Sequence, residues 1–421
     1  MGILTAKWLP LILAFLLAVD DTDGRQIQGR YVSVEINNDN ECSVTDAPYN
    51  AKGDGKTLVT DAIQKALDDP SCGRVVIPKP GTFLTFPLRL TRSNMELHIE
   101  QGATLLVSND RKMWPETANI ISANSISHIA ITGGGTIDGQ GLVWWQNRDD
   151  FRPHMVQFED VQHGILSETL YLNSPNHVLE LFCDDCELAY VKVLAPPSTG
   201  DCERDNKCSH NTDAVDVHGS PFYIHNVNFT TGDDNVAVHA NHTIVENSYF
   251  GTGHGASIGS LCNDYLANIT FRNITFHRTT HGARIKTDSN CSGHVTDVFY
   301  EDLSMYDVAQ AIDVSEFYHT PDKSQERSKF LIDNIVFKNI IVTQSSERMK
   351  ELAEAGMRSG DDDDAMVDFD CDTYYKGANC YVEVDKLHFV GFGEENHPQM
   401  ACKGTVATKV KDLKGINNCL S

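Results

Sequence analysis

Five short openers recur through the middle of the chain: Val215-Asp216-Val217-His218, Val236-Ala237-Val238-His239, Ala256-Ser257-Ile258-Gly259, Ala283-Arg284-Ile285-Lys286 and Ala311-Ile312-Asp313-Val314. Second alternating runs follow, such as Tyr223-Ile224-His225-Asn226-Val227-Asn228-Phe229 and Ile269-Thr270-Phe271-Arg272-Asn273-Ile274-Thr275-Phe276. A period of two broken by turn residues reads as strand, turn, strand, turn. A unit of roughly 20–30 residues repeated in this way is the mark of a solenoid. The units are β throughout and carry no ankyrin or leucine-rich pattern, so the expected fold is an all-β parallel β-helix. Coils of such a helix stack about 4.8 Å apart. Residues one unit apart in sequence therefore become neighbours on one face.

That stacking gathers four motifs: Asn211-Thr212-Asp213, Gly232-Asp233-Asp234-Asn235, Gly253-His254-Gly255 and Arg284-Ile285-Lys286. Asp213 and Asp233 are separated by about one unit, as are Asp234 and His254, and Arg284 follows His254 at about 30 residues. The spacing predicts a ladder of Asp213, Asp233/Asp234, His254 and Arg284/Lys286 across successive coils. Three carboxylates, a histidine and two cations on a solenoid face suit polysaccharide hydrolysis, which needs one acid and one base or nucleophile. Taken singly each motif is weak. An aspartate or histidine in a β-helix turn is more often structural, and Arg284 with Lys286 alone is more often a solvated strand face. One difficulty stands out. Asp233 and Asp234 are adjacent, and on an extended strand their side chains point to opposite faces. A bend at Gly232 is needed for both to reach one cleft. Asp216, three residues from Asp213, is read as structural.

The four motifs in this order resemble the polygalacturonase family of glycoside hydrolases. Further matches are Gly133-Gly134-Gly135-Thr136-Ile137-Asp138-Gly139 before Trp144-Trp145, Arg152-Pro153-His154-Met155, and Asn173-Ser174-Pro175. The resemblance implies a single-domain right-handed parallel β-helix, the pectin-lyase-like solenoid, acting on pectin or polygalacturonate without metal or cofactor. It implies an inverting mechanism with Asp233 as general acid, and with Asp213 and Asp234 holding and deprotonating the water. His254 takes a supporting role that sets protonation. Arg284 and Lys286 are expected to bind the substrate carboxylate, and Asn211 to orient Asp213 or a sugar hydroxyl. Tyr318 is the candidate aromatic contact, although Phe317 fits one register better. Two departures are visible. The family has a bulky aromatic just after the position of Pro175, where this chain has Asn176-His177, and a cysteine after the acid pair, where it has Asn235. Endo action is favoured over exo, since an open cleft needs no blocking loop. The alternatives are an exo-enzyme, a rhamnogalacturonan or xylogalacturonan hydrolase, and a catalytically silent pectin-binding β-helix. A pectate lyase would share the fold but use calcium and an arginine base.

The 421 residues read as three segments. Residues 1–18 are expected to be a signal peptide, because Lys7 precedes an apolar run, Trp8 to Ala18, too short to span a bilayer. Residues 19–45 form an N-terminal arm or propeptide, and 46–421 the catalytic β-helix. A short amphipathic helix after Val59, with Thr60 as N-cap and Val59, Ile63 and Leu67 on one side, is expected to cap its open end. Trp144-Trp145 is read as core rather than as a sugar platform. Twelve cysteines in a secreted chain point to disulfides. The local pairs Cys42–Cys72, Cys371–Cys380 and Cys402–Cys419 are expected, with Cys183 and Cys186 linking a turn. Sequons stand at Asn228, Asn241, Asn268, Asn273 and Asn290, though asparagine also serves β-helix turns. A net charge of −25 disfavours nucleic acid and anionic membranes as partners, and a monomer is expected. Asp361 to Asp364 lack the spacing of a calcium loop and are read as solvated.

Overall fold

A computed structural model describes residues 40–416 and the short strands Gln26–Gln28 and Ser33–Glu35, with 116, 147–149, 196–208, 321–326, 355–364 and 393–397 left out. The expected signal peptide, the acidic run Asp361 to Asp364 and the Cys419 half of one expected disulfide lie outside these residues.

The openers become one continuous parallel face. Its strands are β1 (Leu179–Ala189), β2 (Val215–Gly219), β3 (Val236–Ala240), β4 (Ala256–Leu261), β5 (His281–Thr287) and β6 (Gln310–Ser315). Each pairs in parallel with the next coil. The register stacks Leu181, Val217, Val238, Ile258, Ile285 and Val314 into an inward row. All six are fully buried. β-Branched side chains suit this pleated stack. The residue before each inward one points out to the cleft, so Glu180, Asp216, Ala237, Ser257, Arg284 and Asp313 form a second row.

On another face an aromatic row, Phe271, Tyr300 and Phe337, lies in register and stacks at centroid distances of 4.8 and 5.4 Å. The Tyr300 hydroxyl crosses the core to donate to the carbonyls of Arg284 (3.1 Å) and Ala256 (3.3 Å), tying the hydrophobic filling to β4 and β5. At the turns, Asn247, Asn273, Asp302 and Asn339 adopt positive φ, a conformation that short polar side chains tolerate. They also hydrogen-bond coil to coil: Asn273 donates to Asn247 at 2.7 Å and Asn339 to Asp302 at 2.6 Å. The Asn273 sequon thus coincides with a structural turn.

The cap is present. The helix Thr60–Asp68 buries Ile63, Ala66 and Leu67. Its N-cap is Val59, however, and Thr60 is its first residue. The Thr60 hydroxyl accepts from the Phe86 amide at 2.8 Å, binding the helix to the next coil instead of to its own amides. The solenoid also begins earlier than expected. Glu41–Ser43 pairs with Arg74–Ile77, inside the segment read as an arm. Disulfides Cys42–Cys72, Cys183–Cys186 and Cys371–Cys380 form as expected, and Cys262–Cys291 is an addition. Trp144 and Trp145 are buried core, with Trp145 Nε1 donating to the Ser174 carbonyl at 2.9 Å.

Phe271 is fully buried between coils. Phe271→Ala is expected to lower stability by about 3–5 kcal/mol, read as a lower midpoint in urea with the slope unchanged.

Candidate active site

The loops entering β2, β3 and β4 carry the acids and the histidine. Asp213, Asp233/Asp234 and His254 come together as expected, because the loops share their strands' register. The Ala214 amide donates to the Asp234 carbonyl at 2.9 Å, which sets Asp213 beside Asp234. The chain between Thr231 and Asn235 is bent, so alternation does not apply and both aspartates reach the cleft. The Thr231 hydroxyl donates to the Asp233 carbonyl at 2.7 Å, and the Gly232 amide to Thr212 Oγ1 at 3.0 Å. Gly232 packs so closely on Ser209 that an added Cβ would collide with its carbonyl and hydroxyl oxygens. Asn235, standing where the family has cysteine, donates to the Phe229 and Thr252 carbonyls and accepts from the Gly255 amide at 2.9 Å. It braces the loop that presents His254.

The two acids have different partners. Asp233 Oδ1 accepts from His254 Nδ1 at 2.9 Å, and Asp233 Oδ2 from the Asn211 amide at 3.3 Å. Asp234 Oδ2 lies 2.6 Å from Lys286 Nζ, and Asp234 Oδ1 accepts from Ser257 Oγ at 2.7 Å. Arg284 donates through Nε to Asp313 at 3.0 Å. The Tyr318 ring covers both cations, 4.9 Å from Arg284 Cζ and 5.1 Å from Lys286 Nζ. Phe317 is buried, so Tyr318 and not Phe317 faces the site.

The structure refines three expectations. Arg284 does not stack in line with His254. It pairs with Ser257 and reaches the site from farther along the coil, because β4 and β5 are joined by a longer connection. Lys286 is already the counter-charge of Asp234, 2.6 Å away, so a substrate carboxylate would meet it as part of that pair. Asn211 does not orient Asp213. Its side chain accepts from Arg152 Nη2 at 2.7 Å and its amide faces Asp233.

Sequence reasoning missed His177, Glu180, Asp313 and Ser257, and underrated Asp216. His177 Nε2 lies 3.5 Å from Asp213 Oδ1, and its Nδ1 lies 2.7 Å from Glu180 Oε2 and 3.4 Å from Asp216 Oδ2. The signal was available: Asp216, Ser257, Arg284 and Asp313 occupy the outward position of their openers, and Glu180 the matching position on β1.

Protonation also departs from the expected assignment. Burial would raise Asp233, but the His254 hydrogen bond and charge bring it down to about 2. His254 is raised, its own burial outweighed by Asp233 and Asp234. Burial and the charge of Asp233 push Asp213 up to about 7 against the pull of His177. Burial and Asp213 hold Asp216 well above the usual range. Donor atoms of Asp233, Asp234 and His254, and of His177, Asp213 and Asp216, lie within 4.8 Å of one another. In each group an imidazole nitrogen faces a carboxylate at hydrogen-bond or ion-pair distance.

Against known proteins, residues 69–369 match the model of glycosyl hydrolases family 28. The chain belongs to that family. The assignment makes this family-28 protein a glycoside hydrolase. It is 31% identical over 356 residues to an endo-polygalacturonase of Pectobacterium carotovorum subsp. carotovorum, covering 73% of this chain and 85% of that one. It is 29% identical over 328 residues to an exopolygalacturonase of Zea mays, covering 72% and 77%. The polygalacturonase structure from Erwinia carotovora ssp. carotovora superposes with a TM-score of 0.60 at 25% identity, covering 87% of this chain and 92% of that one. The shared fold is the right-handed parallel β-helix.

Two measurements test the electrostatics. Lys286→Met leaves Asp234 buried without its counter-charge and is expected to cost about 3–5 kcal/mol, much of it recovered in the double variant with Asp234→Asn. For His254 and Asp233, the raised imidazole stabilises fully below its ordinary 6.5 and loses that contribution as pH rises through its higher folded value. The lowered carboxyl stabilises above its ordinary 3.8 and loses that contribution as pH falls to about 2. The stability gap between the wild type and His254→Gln is therefore expected to be widest between about pH 4 and 6.5 and to narrow on both sides.

Proposed function

We propose that the protein is a secreted polygalacturonase that cleaves α-1,4-galacturonosidic bonds of pectate by an inverting acid/base mechanism, acting within the polymer. The observation that carries this reading is the arrangement of Lys286 and Arg284 under the Tyr318 ring, directly beside Asp234. It offers cations and an aromatic face to a sugar that bears a carboxylate, next to acids able to act on its linkage. Secretion is supported by Lys7 with the following apolar run and by four disulfides among the described residues. Relatives named for endo and for exo action both match, the endo-enzyme at slightly higher identity.

In this mechanism Asp233 protonates the glycosidic oxygen as the bond to the anomeric carbon breaks. Asp213 and Asp234 hold a water on the opposite face and take its proton as its oxygen bonds to that carbon. The acid is then reloaded from solvent and the base discharged, leaving one new reducing end of inverted configuration. Asp233 is ionised in the free protein, and the proton it needs sits on His254, 2.9 Å away. Filling the cleft removes water and disfavours the ion pair relative to neutral imidazole with a protonated carboxyl. The proton thereby moves to Asp233. A second assignment, with Asp213 as the acid, is favoured by its raised pKa of about 7.

The full chain is expressed in a secreting host and the medium assayed on polygalacturonate with a calcium chelator. A spread of oligomers at early times is the expected result; monogalacturonate alone from the start would make the enzyme exo-acting. Asp233→Asn, Asp213→Asn and Asp234→Asn are each expected to lose about 10²–10⁴-fold in kcat. An aryl galacturonide, whose leaving group needs little protonation, should rescue Asp233→Asn alone. Rescue of Asp213→Asn instead would reverse the roles. Proton NMR of the fresh product checks inversion.

A further inference from the structure

We infer that His177 is a positioning residue for Asp213, an imidazolium that Glu180 holds by a hydrogen bond and aims at the water-activating carboxylate, whose ionised form it favours by ion pairing. The inference rests on the reading of Asp213 as part of the water-binding pair. It adds a residue that occupies the place where the family resemblance puts a bulky aromatic, which has no charge to offer.

The backbone sets the contact first. Leu179 is in register with Val215, and the Val178 amide donates to the Asp213 carbonyl at 2.8 Å, so His177 stands level with Asp213 on the adjacent coil. Glu180 then fixes the ring. Its Oε2 lies 2.7 Å from Nδ1, which leaves Nε2 directed at Asp213 Oδ1, 3.5 Å away. Asp216 Oδ2 lies 3.4 Å from the same Nδ1. Carboxyl oxygens facing both nitrogens favour the form with hydrogen on each, which is the charged form.

The groups facing this ring come from four elements. β1 supplies Glu180, and the loop into β2 and β2 itself supply Asp213 and Asp216. His218 of β2 faces Glu180 Oε1 at 3.3 Å. The segment before the preceding coil supplies His154, whose ring lies 4.8 Å from that of His177, and Arg152. Arg152 is directed elsewhere, onto the Pro175 and His210 carbonyls and Asn211 Oδ1. Burial lowers His154 to about 4, so it stays neutral beside the charged ring. Lys286 is taken by Asp234. Among the described residues, His177 therefore pulls Asp213 hardest toward its ionised form, against burial and the charge of Asp233. Burial alone would neutralise His177, but Asp213, Glu180 and Asp216 raise it to about 10.

The test is the pH profile of kcat/KM on polygalacturonate for the wild type, His177→Gln, His177→Phe and Asp213→Asn. Without the charge, Asp213 binds its proton more tightly. The acid limb of both His177 variants is expected to move up by about one pH unit or more, one unit corresponding to ~1.36 kcal/mol. At pH 5, kcat is expected to fall about 10–100-fold, within the range of general-base effects, while KM stays within about threefold. A fall in kcat with the acid limb unmoved overturns the proposal, because the ring would then be only structural. Unchanged kinetics overturns it too. If Asp213→Asn itself keeps full activity, the reading of Asp213 has failed rather than the contact. Histidine NMR then decides the contact. The His177 ring should stay doubly protonated through pH 7 in the wild type and lose its proton at lower pH in Asp213→Asn. Identical titration in both proteins overturns it. The same spectra show whether each variant is folded.

Discussion

Parallel coils stacked in register leave each side chain only one kind of neighbour, the residue at the same position one coil away. Everything else follows from this constraint. A row of valines, isoleucines and leucines fills the interior because only apolar side chains can stack on one another out of water. The same rule forces the outward row to be mutually compatible in charge. Glu180 and Asp216 stand side by side, as do Arg284 and Asp313. The first contact is repulsive and the second attractive. Imidazoles placed on the adjacent turns relieve the repulsion.

The cleft is therefore an exercise in charge compensation under burial. Five carboxylates, Glu180, Asp213, Asp216, Asp233 and Asp234, are shared among His177, His254 and Lys286. Each basic group has its own acid, and no acid relaxes to its ordinary behaviour without disturbing another. Crowding of this kind separates protonation states, and acid/base catalysis needs such a separation. The Tyr318 ring completes the arrangement by lying over Arg284 and Lys286, where its π face favours both charges.

Much of this was legible in the sequence, for a physical reason. Period-two alternation and unit length survive any change of loop, so the openers revealed the solenoid, the face and the grouping of Asp213, Asp233, Asp234 and His254. Distances counted along the chain failed where connections differ in length. Arg284 falls out of line with His254 because the chain between β4 and β5 is longer than that between β2 and β3 or between β3 and β4, while the strands themselves keep register. Side-chain direction was the other blind spot. Asn211 has positive φ, which turns its side chain to Arg152 and its amide to Asp233, and nothing in the spacing of the motifs encodes that turn. His177 and Glu180 belong to no recurring motif along the chain; they join the site only because it runs down a column of stacked coils.

The mismatch between constant register and varying connections has an evolutionary reading. A solenoid of this kind separates two kinds of inherited change. Substitutions in the columns are constrained by neighbours above and below, so they must come in compensating sets. Insertions in the turns meet no such test, because the next strand is recaptured at the same height by its ladder hydrogen bonds. Lineages can lengthen or shorten the walls of the cleft while its floor stays fixed. Loops of different length can thus be laid over an unchanged column.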